Sequence, residues 1–304
     1  MGLRGLILLA VRVSIFLTVL AIGFGASRRD LGYLMHRPRQ LQLALCSMFV
    51  IVPAAAILLI AAFSLKPAVE IALIALALSP VPPVLPRTML KAGGRKEYAI
   101  SLLAIASVVA VVFVPAGIQL IGIAAKREMH LPPTAIAKVE LITVLVPLLV
   151  GILVRQLAPR LGQRLARPTS RASTVLLAAA ALPMLLITLP SAMRLIGNGT
   201  LAALIVFELV GLASGHLLGG PDPSDRTVLA LASSSRHPGV ALTVATMAFP
   251  TAPFELSAIV LYLLTSAVLT IVYLVWRRHS DQRSTVRSGR DSKGFSSVRS
   301  TGHR

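Results

Sequence analysis

The sequence predicts an all-α polytopic membrane protein, and three observations predict it. Hydrophobic residues make up 56% of the chain and charged residues only 13%, about half the charged share of soluble domains. The apolar residues gather in runs of about 20, the length of helix that crosses a bilayer's hydrocarbon. Two of those runs are interrupted at membrane depth, LALSPVPPVLPR at 76–87 and LALASSSRHPGVA at 229–241. Irregular backbone survives there only where protein or a water-filled cavity satisfies its polar groups.

Taken in order, nine runs qualify as spans: 3–26, 40–63, 68–90 (broken), 97–123, 134–157, 174–195, 200–219, 226–249 (broken) and 254–276. Basic residues cluster at Arg28, Arg29, Arg37 and Arg39, at Lys91, Arg95 and Lys96, from Arg155 to Arg171, and from Arg277 onward. With nine spans these clusters all fall on one side, which the positive-inside rule makes cytoplasmic. An integral protein of the plasma (inner) membrane is expected, its N-terminus outside and its C-terminus inside. The Lys126-Arg127 turn, placed outside, and the slightly acidic 221–226, placed inside, run weakly against this and do not outweigh the four clusters. The first run, with Arg4 ahead of it and GFGAS at its end, has features of a cleaved signal peptide. Arg12 interrupts it and the later loops need it to stay inside, so it is read as a span, with Arg12 snorkelling to the interface or lining the cavity.

The formal net charge of +19 is topological: the basic residues lie between apolar spans and only 5% of residues are aromatic, so nucleic acid is not an expected partner. The single Cys46 excludes an intrachain disulfide and a cysteine metal cluster. No metal-spaced His or Cys set, phosphate-cradling glycine loop or nucleophile with a base appears. Neither enzyme activity nor a metal or cofactor is expected. After the transmembrane region, 1–276, residues 277–304 change abruptly to Arg, Ser and Gly. Such a segment buries too little surface to offset ordering entropy, so a disordered basic cytoplasmic tail is expected, with contact to anionic headgroups as the alternative.

Paired interruptions in two halves of a polytopic chain point to a transporter's binding site. The breaks, expected around 79–87 and 232–239, each carry an arginine, Arg87 and Arg236. An arginine at a helix centre costs about 2.5–3.5 kcal/mol on insertion scales, so something must relieve it. Two readings are open: the guanidinium holds the exposed carbonyls of the broken helices together, or it binds a carboxylate, sulfate or phosphate by paired hydrogen bonds. Glu208, inside ALIVFELVGL, is the most deeply placed carboxylate, and Glu140 lies about two turns into the fifth span. Glu208 reads as a counter-ion to Arg236 or Arg87, or as a proton carrier. His237 reads as a titrating group or a backbone cap. Ser233, Ser234 and Ser235 offer hydroxyls to freed backbone, and the half-helix after Pro238, with Gly239, offers amides to an anion.

Five stretches carry a likeness in a consistent order: Met48-Phe-Val-Ile-Val-Pro53; Glu70-Ile71-Ala72 with Pro82 and Pro83 following; Tyr98-Ala-Ile-Ser101; Val146-Pro-Leu-Leu-Val-Gly151; and Ser235-Arg-His-Pro-Gly-Val-Ala241. In these the chain resembles the bile acid:sodium symporter family of secondary transporters, over 12–276. The resemblance implies two inverted five-helix repeats, here lacking the first helix, with the broken fourth helices crossing near the membrane centre. It implies a core bundle and a panel, spans one, five and six, that moves against it to give alternating access. It also implies an organic anion as substrate. Sodium-using members place a Ser-Asn pair after the first break, a Ser and a Thr in the next helix, a Gln in an earlier helix and a Glu-x-x-x-Gln-Asn run at the second break. The matching positions here are Arg87 and Thr88, Ser101 and Ile105, Met48, and Ala232, Arg236 and His237. A hard cation needs oxygen ligands, so sodium coupling is not expected, and each arginine also reads as a replacement for an ion. The substrate-binding set implied is Arg87, Thr88, Ser101, Ser234, Ser235, Arg236, His237 and Gly239, with Glu208 as charge partner. The alternatives are a non-transporting sensor or scaffold on the same fold, and a sodium- or proton-coupled symporter.

Overall fold

In a computed structural model that describes residues 3–124, 131–249 and 256–299, every regular element is helical. The Lys126-Arg127 turn lies outside the described residues. The first run folds as α1 (Leu3–Gly25), followed by a short α2 (Arg28–Gly32). Ser27 starts α2 through a capping box: its hydroxyl accepts from the Asp30 amide and its own amide donates to the Asp30 carboxylate. The second run is α3 (Pro38–Cys46), a π-helical turn (Ser47–Ile51) and α4 (Val52–Ala62). The first broken element is α5 (Pro67–Leu78) and α6 (Leu85–Lys91), followed by α7 (Lys96–Ala124). The fifth run is α8 (Pro133–Glu140), a second π-helical turn (Leu141–Leu145) and α9 (Val146–Leu157). Then come α10 (Pro159–Met193), α11 (Thr200–Leu218), the second broken element α12 (Pro223–Ser234) and α13 (Pro238–Ala248), and α14 (Leu256–Arg299).

Both π-helical turns have the same cause. Pro53 and Pro147 each stand one residue into the following helix, and a proline ring clashes with the carbonyl four residues back. The chain widens instead, with the Val52 amide bonded to the Ser47 carbonyl and the Val146 amide to that of Leu141, the i to i−5 register of a π-bulge.

The unwound segments are narrower than the sequence predicts, 79–84 and 235–237 rather than 79–87 and 232–239. Pro86 and Pro238 are accepted in the first turn of a helix, where a missing amide costs nothing, so helix resumes around them. Arg87, Thr88 and Ala232 therefore lie on helices. The helix α10 also begins earlier than the sixth span does, so most of the basic stretch between Arg155 and Arg171 is helical.

Among the described residues, six helical stretches are long and apolar enough to cross a membrane: Pro38–Ala62, Lys96–Ile123, Pro133–Leu157, Pro159–Met193, Thr200–Leu218 and Leu256–Arg277. The other predicted spans fall on α1 and the two broken elements. Large apolar side chains such as Leu157, Ile123 and Val112 face outward, as lipid-facing residues do.

The chain divides into two compact units, Met1–Ser266 and Ala267–Arg304. Within the first, α1, α9 and α10 pack together, α4, α5, α7, α11, α13 and the start of α14 supply most of the main apolar core, and α12 packs along α11. Small residues let these backbones approach. A Cβ on Gly215 would lie 2.3 Å from the Leu229 carbonyl oxygen, and one on Gly211 2.6 Å from the Ser234 Cα, so α11 and α12 run antiparallel in direct backbone contact. The second unit is helical through Arg299; residues 300–304 of the expected tail lie outside the described residues.

Candidate functional site

The two breaks meet. The His237 amide donates to the Pro80 carbonyl at 2.9 Å. The Arg236 guanidinium, 1% exposed, donates through Nη1 to the Ser79 carbonyl at 3.1 Å and through Nη2 to the Ser233 carbonyl at 2.8 Å. One cationic fork thus takes a carbonyl from each broken element. These carbonyls are free because each helix ends there, and a helix leaves its last carbonyls without intrahelical partners.

Neighbouring side chains satisfy the other loose groups. The Tyr262 hydroxyl donates to the Ser234 carbonyl at 2.7 Å, and the Ser79 hydroxyl to that of Leu76 at 2.8 Å. The Ser47 hydroxyl lies 2.7 Å from that of Ser233 and 2.9 Å from that of Ser214, joining the first π-helical turn to α12 and α11. His237 caps α13: its Nδ1 accepts from the Gly239 amide at 3.1 Å, so the neutral ring carries its proton on Nε2. Glu208 accepts from the Ser266 hydroxyl at 2.8 Å through Oε1. It acts on Arg236 electrostatically, yet none of the ion pairs among the described residues joins the two. Three buried atoms here have no partner: Arg236 Nε, His237 Nε2 and Glu208 Oε2. Two are donors suited to an anion's oxygens.

The sequence-predicted set divides. Ser234, Ser235, Arg236, His237 and Gly239 gather at the second break, with Glu208 beside them. Ser234's hydroxyl turns back to the Leu231 carbonyl at 3.3 Å, and Ser235 is half-buried. Arg87, Thr88 and Ser101 are elsewhere. Arg87 donates to α10, through Nη1 to the Ser173 hydroxyl at 3.1 Å and through Nη2 to the Ser170 hydroxyl at 2.6 Å, the Ser170 carbonyl at 3.1 Å and the Thr174 hydroxyl at 2.9 Å. The expected convergence of Arg87 with Arg236 does not occur, because the winding of 85–91 into α6 turns Arg87 towards α10. Thr88 is half-buried beside it. Ser101 is buried and ties α7 to the turn after α2, donating to the Leu31 carbonyl at 2.8 Å and accepting from the Leu34 amide at 3.1 Å.

Three residues of the cluster lie outside the breaks and escape a reading of them alone: Ser47, Tyr262 and Ser266. Tyr262 and Ser266 had a signal, two hydroxyls spaced i, i+4 on one face of an apolar span. Ser47 directly precedes Met48, a position the sodium pattern had already singled out.

A helical membrane protein whose two broken helices meet at a buried polar cluster has the architecture of a secondary transporter. The chain belongs to the Sodium Bile acid symporter family, whose model matches residues 12–197. No curated protein matches it. It is an integral membrane transporter of the bile acid symporter type, a family of transporters rather than enzymes. The matched region ends before the second break, so Arg236 and His237 stand on their own geometry.

Proposed function

We infer that this protein is a sodium-independent secondary transporter of an organic anion, bound near the crossing of its broken helices. The observation that carries this reading is the Arg236 fork, which occupies one carbonyl of each break with a fixed positive charge. A unit positive charge about 4 Å from a second cation opposes it by about 4 kcal/mol at an effective dielectric constant near 20, so sodium is disfavoured where an anion is welcome. The Nη atoms of Arg236 hold the breaks, while its Nε and His237 Nε2 are left for substrate oxygens. One arginine serves both readings that the sequence left open. Access alternates as a panel of α1, α8, α9 and α10 moves against the core, with the N-terminus outside and the C-terminus in the cytoplasm of a cell whose plasma (inner) membrane holds the protein.

The test is uptake into proteoliposomes of two probes, taurocholate as a steroid conjugate and pyruvate as a small keto acid, in sodium and in choline buffer. Equal uptake of at least one probe in the two buffers is expected. A steep sodium dependence overturns the reading, and binding without flux favours the sensor or scaffold.

A further inference from the structure

Among the described residues, Glu140 is the one carboxylate with both oxygens buried and neither partnered. It is fully buried at the end of α8, immediately before the second π-helical turn. α8 continues into α9 of the panel and itself packs against α7 and α13 of the core. Glu140 therefore lies where the two bodies of the transport reading meet. Across that contact, Ser107 of α7 is its neighbouring polar side chain, also fully buried, its hydroxyl also unpartnered.

Among the described residues no ion pair compensates this group. The charged and titratable residues on the elements packed against it are Lys96, Glu97 and Tyr98 of α7, Arg155 of α9, Arg4 and Arg12 of α1, and Lys138 of α8 itself; α13 has none. The α7 residues precede Ser107 by about 14–17 Å of helix and Arg155 follows Glu140 by about 22 Å, at the helical rise of 1.5 Å per residue. Lys138 and Arg12 are exposed, and none of the ion pairs includes Glu140. A carboxylate ion with no cation and only the Ser107 hydroxyl as a neighbouring donor is costly to bury, whereas the neutral acid is tolerated and can itself donate to Ser107.

We propose that Glu140 is a proton-binding site at the panel–core contact: it takes a proton from water when the panel opens and buries it as a neutral carboxylic acid when the panel closes. The proton adds to one carboxylate oxygen and returns to water on reopening, with no other bond made or broken. The proposal rests on the panel–core reading above and makes the proton the coupling ion in place of sodium.

Infrared difference spectra of the full chain in lipid, between acidic and alkaline buffer, test the site without substrate. A protonated-carboxyl band is expected in the wild type and in Glu208→Gln, and its loss in Glu140→Gln. A band that survives Glu140→Gln, or no band in the wild type, overturns the proposal. Should Glu140→Gln fail to fold, Glu140→Asp keeps an acid and must shift the band; an unmoved band has the same meaning. Hydrogen exchange over 131–157, corrected for chemical rate, tests the link to opening. One linked proton lets opening rise up to about tenfold per pH unit, and Glu140→Gln should remain protected at every pH; equal pH dependence in both proteins overturns the link. In proteoliposomes, pyruvate or taurocholate uptake in choline that ignores a pH gradient sinks proton coupling and leaves sodium-independent transport standing. No uptake of either probe counts against the transport reading, while the infrared result still decides the proton site.

Discussion

The first break runs from 79 to 84 and includes Pro80, Pro82 and Pro83, whereas the second, 235 to 237, has no proline until helix resumes at Pro238. Three of the six residues in the first have no amide hydrogen, so that break presents carbonyls with few donors of its own. The second supplies what the first lacks, the His237 amide to Pro80 and the Arg236 fork to Ser79. The arginines follow the same division: Arg236 is spent within the crossing, and Arg87, beyond the first break, is turned to the hydroxyls of α10. Two interruptions that look alike in sequence are thus complementary, one an acceptor surface and the other its donor.

The largest effect should come from removing that donor. Arg236→Ala leaves the Ser79 and Ser233 carbonyls buried without a partner, and loss of one side of a buried charged network typically costs about 3–5 kcal/mol. Thermal unfolding in detergent should show it. Arg236→Lys keeps the charge but not the planar fork that reaches both breaks, and should fall between wild type and Ala. Adding Glu208→Ala to Arg236→Ala asks whether the arginine also serves as a counter-charge. Partial recovery of stability and flux would mean that neutralising Glu208 is its main task and would remove the case for an anion at Nε.

The seam behind the second break comes next. Gly215→Val must push α12 from α11, since even a Cβ falls 2.3 Å from the Leu229 carbonyl oxygen, and overpacking of this kind costs about 1–3 kcal/mol. A Cβ on Gly25, at the end of α1, meets nothing within 4 Å, so Gly25→Ala should unfold at the wild-type temperature. Equal losses in the two variants would show that α11 and α12 do not depend on backbone contact.

A smaller loss is expected from Arg87→Gln. Its hydrogen bonds are half-exposed, and each such bond contributes about 0.5–1.5 kcal/mol at most when buried. The amides around 170–174 should exchange faster while those at the crossing do not change. Loosening at 235–237 as well would tie Arg87 to the crossing after all.

These contrasts also mark how far the sequence could be read. The apolar runs, the basic clusters and the two proline-marked breaks were legible because each is a local pattern with its own physical cause. So was an arginine in the second interruption, whereas Arg87 lies on α6, beyond the first; the gathering of Ser234, Ser235, Arg236, His237 and Gly239 follows from their being chain neighbours. The destination of Arg87 was not legible. It depends on the first break ending at Leu85 rather than beyond Arg87, a shift of less than one helical turn that rotates the side chain from the crossing to α10. Ser101 was misread for a related reason, since its partners at Leu31 and Leu34 are contributed by a turn 67–70 residues away. Tertiary pairing of that kind leaves no local trace. The π-helical turn beside Glu140 was missed although Val146-Pro147 was in view, because the clash that causes it acts on a carbonyl four residues upstream.

The smallest effect belongs to a second connection between the broken elements, made away from the crossing, between the end of α6 and the start of α12. Arg95, in the turn after α6, pairs with Asp222 and Asp225 at the start of α12. Asp225 is buried and also accepts from Tyr33 and Gln40 at 3.4 and 3.3 Å, whereas Asp222 is partly exposed. The hydroxyl and amide of Ser224, then the charge of Arg95, hold the Asp222 carboxyl below its ordinary range. A depressed carboxylate contributes stability that is fully present above the unfolded value, about 3.9, and is lost as pH falls through the lower folded value. Asp222→Asn keeps an acceptor for the Ser224 amide but removes the charge, so its deficit should be at most about 1 kcal/mol and should shrink in high salt. The deficit should stay constant from neutral pH down to about pH 4 and disappear in stronger acid, when the wild type loses the same charge. A deficit that persists in strong acid would mean that Asn fails as a cap rather than as a partner for Arg95. In that case this second connection would rest on Asp225 alone, and the Arg236 fork would be the main link between the two broken elements.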